Sequence, residues 1–189
     1  MVQLKPLPLD DLLRSAGRSA ERCCTLFRLW METAGSIGRA DHHDAIADHW
    51  ECLRFLEYGQ LFSCVVESHS LLDGHKDAIT IPRLIKLARL HGADTGVAES
   101  YLAEAAPITA KLAILRHKAF AHRSASMEYD DVFRLAQISS DEIGEGCAFA
   151  LRAVNQLLAA RGRPLAQRSD LPEERYSRML RMLQNSTGA

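Results

Sequence analysis

The sequence predicts an all-α, antiparallel helical bundle, on three observations. Apolar residues recur at alternating three- and four-residue steps along almost the whole chain, which is the period of a helix face. Helix breakers are few, 11 Gly and 6 Pro in 189 residues. Aromatic residues make up only 6%, and no series of short alternating strands is present, which argues against an all-β sandwich. Apolar and charged fractions of 47% and 25% are those of a folded globular chain, not a disordered one.

The elements follow in order. Leu13, Ala16, Ala20, Cys23, Phe27, Trp30 and Ala34 form one stripe, with Asp10 or Asp11 as the expected N-cap. A second helix is expected over about 41–73, its stripe carried by Phe55, Tyr58, Phe62, Val65, His69 and Leu72. A third opens at Thr80-Ile81-Pro82 and stops at Gly92. Tyr101, Ala105, Ile108, Leu112, Leu115, Ala119 and His122 share the stripe of a fourth, in which Pro107 predicts a kink or a restart without a change of face. Ser139 and Glu142 form a capping box for a fifth, with Ile143, Cys147, Ala150, Val154 and Leu157 facing inward up to Gly162. Asp170 and Pro172 open a last helix to about 184. Segments 124–138 and 163–170 are expected loops. Stripes of this width belong to helices packed at small angles. Residues 1–163 are expected to form one domain, and 164–189 a C-terminal loop and short helical appendage.

Charge is balanced overall at −1 but unevenly placed. Residues 41–77 carry eight acids and two bases; 105–127 carry four bases and no acid; 152–181 carry seven arginines and three acids. This predicts either complementarity within the chain or an anion-binding face. No window approaches 18 unbroken apolar residues and the N-terminus has no apolar targeting core, so no membrane partner is expected. Five cysteines, an odd number without a Cys-x-x-Cys pair, are expected as reduced core thiols in a cytoplasmic protein.

The most chemically loaded string is Leu115-Arg116-His117-Lys118-Ala119-Phe120-Ala121-His122-Arg123. It sets three permanent cations and two imidazoles at a helix end, where cations also offset the helix dipole. On a straight helix Arg116 and His122 stand roughly 120° and about 9 Å apart. A local break or a second protomer is therefore needed to bring them together.

An Arg followed by a polar residue and, several positions on, by His resembles the signature of the HEPN superfamily (higher eukaryotes and prokaryotes nucleotide-binding). The form Leu-Arg-His-Lys-Ala-Phe-Ala-His-Arg-Ser is similar to its abortive-infection, U-type branch, with His117 where Asn is commoner. The resemblance spans about residues 20–160 and implies a four-helix core with extra terminal helices. It further implies a metal-independent endoribonuclease acting as a homodimer in phage defence or as a toxin, with a nucleotidyltransferase-like antitoxin as a possible partner. RNA would be cleaved by its own 2′-OH, leaving a 2′,3′-cyclic phosphate. In the roles so implied, His122 is the general base, Arg116 stabilises charge on the phosphate, and His117 orients or donates. Lys118 and Arg123 attract the RNA backbone. Such a site takes no metal and no cofactor. The alternative is a catalytically inactive dimeric helical module that binds a protein or nucleotide.

Other groupings read more plainly. Asp41, His42, His43, Asp44, Asp48 and His49 contain ligand-type residues but lack a metal-binding spacing and suit a solvated helix start. His69, alone on an apolar stripe, is expected as a satisfied core histidine rather than a catalytic helper. Arg175, Arg178 and Arg181 with Met179, Met182 and Leu183 give an amphipathic basic helix that docks on the bundle or on a partner. No P-loop, Gly-x-Ser-x-Gly or dinucleotide fingerprint occurs.

Overall fold

The computed structural model describes residues 7–75, 78–121, 129–167 and 169–186. Among them every regular element is helical: α1 Leu9–Ala34, α2 Ser36–Asp41, α3 His43–Asp48, α4 Trp50–Leu72, α5 Ile81–Leu90, α6 Gly96–Leu115, a π-helical segment Arg116–Ala121, α7 Tyr129–Ala136, α8 Ser140–Ala160 and α9 Leu171–Ser186. The chain is an all-α helical bundle, and no described helix is long and apolar enough to cross a membrane.

Helices α1, α4, α6 and α8 make the core, with α1 against α4 and α8, and α6 against α8 and α4. Leu13, Ala16, Ala20 and Cys23 of α1 are buried, as are Ala105, Ile108, Leu112 and Leu115 of α6 and Ile143, Cys147, Ala150, Val154 and Leu157 of α8. These are the stripes read from the sequence. Their pairing fixes directions. Asp10, at the start of α1, meets Arg161 just beyond the end of α8, while Phe27 lies over Gly144 near the start of α8. Likewise Lys111, late in α6, pairs with Glu142, early in α8, and Tyr101 reaches Phe149. Both helix pairs run antiparallel.

Local signals explain the best-defined ends. The Ser139 hydroxyl accepts from the Glu142 amide while the Glu142 carboxylate accepts from the Ser139 amide, so two orphan donors of α8 are satisfied reciprocally. Thr80 caps α5 by accepting from the Arg83 amide, with Pro82 in the first turn where no donor is lost.

Four expectations need correction. The first helix starts at Leu9 with Pro8, not Asp10 or Asp11, in the N-cap place; the acids sit in the first turn, where the dipole favours them. The second helix is broken at His42 and His49, both of which leave helical backbone geometry. His42 is buried and its Nε2 lies 3.6 Å from Glu32, so this ring is drawn inward at the break. At Pro107 the restart alternative is excluded, because α6 runs through it with Ala105, Ile108, Leu112 and Leu115 still on one buried face. Finally, 124–138 is not all loop, because α7 occupies its second half with Val132 and Ala136 buried.

The stripe assigned to α4 also holds only in its C-terminal half. Val65, His69 and Leu72 are buried, but Phe55 is 79% exposed and Tyr58 and Phe62 are exposed as well, the last two stacked on each other at 6.4 Å. Leu53, Leu61, Cys64 and Ser68 are buried instead. The C-terminal segment docks through α9 on α1 and α3. Leu180 is fully buried, Glu173 pairs with Arg28, and the Ser177 hydroxyl donates to Glu32 at 2.9 Å.

Candidate active site

The buried row Ile108, Leu112 and Leu115 clamps the C-terminal end of α6 into the core. Arg116 follows directly. Its amide donates to the Leu112 and Ala113 carbonyls, and its own backbone is still α-helical, at φ −57° and ψ −47°. From here to Ala121 the winding widens to the i→i+5 pattern, which is rare and concentrates at functional sites. The segment departs in its winding from the straight α-helix that precedes it.

Arg116 is half-buried, and His117 and Lys118 are exposed. Among the described residues no carboxylate forms an ion pair with Arg116 or Lys118, whereas Lys111, one turn earlier, is tied to Glu142. His122 and Arg123, the other two sequence-predicted site residues, lie outside the described residues.

A residue that the sequence placed elsewhere joins this group. His69, near the end of α4, is 4% exposed. Its ring stands edge-on to that of His117, with centroids 6.3 Å apart and an interplanar angle of 77°. Its Nδ1 is buried without a hydrogen-bond partner, so the expectation of a satisfied core histidine is corrected. Burial pushes its pKa below the usual histidine value; Asp73 opposes this, and the nearby Arg116 and His117 reinforce it. The ring is thus held toward the neutral form beside two groups that carry or accept positive charge. The one sequence signal for this role was an imidazole in an otherwise apolar row.

No family model, curated protein or solved structure matches this chain.

The remaining groupings separate from this site. In the 41–49 segment His43 Nδ1 is 3.0 Å from Asp44, and Asp44 and Asp48 are exposed on α3. Among the described residues no three His, Cys, Asp or Glu side chains converge as metal ligands. The acidic stretch is partly spent on neighbours: Glu57 pairs with Arg39 and Glu67 with Arg22. Much of the basic C-terminal segment is also engaged. Arg161 and Arg163 hold Asp10 and keep its carboxyl below the usual range, and Arg152 lies over the Phe149 and Tyr101 rings at 4.7 and 5.4 Å. Arg175, Arg178 and Arg181 remain exposed on α9.

Proposed function

We propose that this protein is a metal-independent endoribonuclease of the HEPN type, acting in the cytoplasm as a homodimer in phage defence or as a toxin. The observation that carries the reading is the unspent cation Arg116. It sits half-buried beside exposed His117 and Lys118, with no carboxylate among the described residues to neutralise it, where the helix changes winding. A phosphate would supply the negative partner that the described residues do not.

The chemistry is a transesterification. The ribose 2′-oxygen loses its proton to a general base and attacks the adjacent phosphorus, and the bond to the 5′-oxygen breaks as that oxygen takes up a proton. The products are a 2′,3′-cyclic phosphate and a 5′-hydroxyl. A neutral histidine suits the base, a role the resemblance gives to His122. The planar fork of Arg116 suits the two non-bridging oxygens of the attacked phosphate, and His117 would orient or donate to the same group. Lys118 and Arg123 add attraction to the RNA backbone. A nucleotidyltransferase-like antitoxin is the partner this class of toxin would need.

The test is the product chemistry. Total RNA incubated in EDTA with the wild type should acquire cyclic-phosphate ends that vanish with the Arg116→Ala/His122→Ala double variant. Identical ends from both proteins would refute the assignment. A second reading, an inactive dimeric module that binds a protein or nucleotide, is supported by exposed Trp50, Phe55 and Leu56 on the first half of α4.

A further inference from the structure

We infer that His69 is a positioning residue of this site: its buried ring, set edge-on against His117, holds that imidazole beside Arg116 so that both address one phosphate group. The inference rests on the nuclease reading for its substrate, but its geometry is independent of it.

Three observations converge. First, a buried polar atom without a partner calls for an explanation, and His69 Nδ1 is such an atom. A leucine or phenylalanine in the same row would carry no such atom. Second, the ring faces His117, across from the π-helical segment, and α4 packs on that segment. An exposed histidine has free rotamers unless something limits them, and the 77° arrangement supplies a wall on one side. Third, the titratable and charged groups facing His69 are Asp73, just past the end of its own helix, and Arg116 and His117 on the π-helical segment. A neutral ring can stand beside these without repelling Arg116 or neutralising it. A carboxylate there would pair with Arg116 and compete with the phosphate.

The role is distinguishable from packing, because leucine fills the buried row but removes the aromatic edge that faces His117, and phenylalanine puts that edge back. The experiment is a double-mutant cycle on RNA cleavage with the full chain, using His69→Leu, His117→Ala and the double variant, with thermal midpoints measured alongside. His69→Leu should slow cleavage by about 10²-fold, the scale of a misplaced group, without lowering the midpoint. In the His117→Ala background it should have no further effect, because it acts through that ring. His69→Phe, which keeps the edge-on contact, should recover most of the lost rate.

Wild-type cleavage by His69→Leu, or effects that simply add, would overturn the inference. A second readout does not depend on activity. Inorganic phosphate should shift the His117 ring resonances of the wild type and not those of His69→Leu. Should the wild type cleave no RNA, the nuclease reading fails, and this comparison alone decides: equal shifts overturn the positioning role, and a shift lost in the variant sustains it.

Discussion

His69 costs the fold something, and the cost can be measured. Its ring is buried with one nitrogen unpaired, and burial lowers its pKa from the ordinary histidine value. The sign of the pH effect follows. As pH falls through about 6.5 the unfolded chain takes up a proton that the folded chain resists, so folding stability declines toward acid and is fully present above that range. His69→Phe removes this contribution. Urea melts should therefore show a flatter dependence on pH between about 5 and 7 for the variant, with equal slopes for both proteins as the contrary result. The position of His69 on a buried stripe was legible in the sequence; its partner was not. Residue 117 is 48 positions away, and only the packing of α4 on the end of α6 brings the rings together.

Helix ends signalled by specific side chains were readable, and those without such signals were not. The Ser139–Glu142 box and the Thr80 cap are local hydrogen-bond patterns that residue identity nearly dictates, and both are present. Ser139→Ala should cost about 1 kcal/mol, read as a lower denaturation midpoint with an unchanged slope. The breaks at His42 and His49 carry neither Gly nor Pro, and neither does the π-helical segment 116–121. Their departure from α-geometry has no signal in residue identity; at His42 it accompanies the inward turn of the ring toward Glu32. For the same reason the periodicity of α4 misassigned its first half: Phe55, Tyr58 and Phe62 keep helical spacing, but nothing in spacing says which face the bundle covers.

The distribution of charge over the whole chain shows a division of labour. The acids of α3 and early α4 stand far from the candidate site, since Glu51 and His69 are 18 residues apart on one helix, about 27 Å at 1.5 Å per residue. They cannot cover the Arg116 side chain from there. The paired arginines tie the chain termini to the bundle instead: Arg161 and Arg163 hold Asp10, and Arg28 holds Glu173. The C-terminal segment is docked rather than loose, anchored by fully buried Leu180. Leu180→Ala should destabilise that docking by about 2–5 kcal/mol, seen as early proteolytic cleavage after residue 163 while the core persists. Cleavage no faster than in the wild type would mean that α9 is held by its ion pairs.

The central claim is that Arg116 meets a phosphate during reaction. The most direct measurement is the single-turnover rate of RNA cleavage in EDTA by Arg116→Ala against the wild type, with folding checked by circular dichroism. Loss of a charge-stabilising donor predicts a rate lower by about 10²–10³-fold at an unchanged fold. A folded variant that cleaves at the wild-type rate would contradict the account.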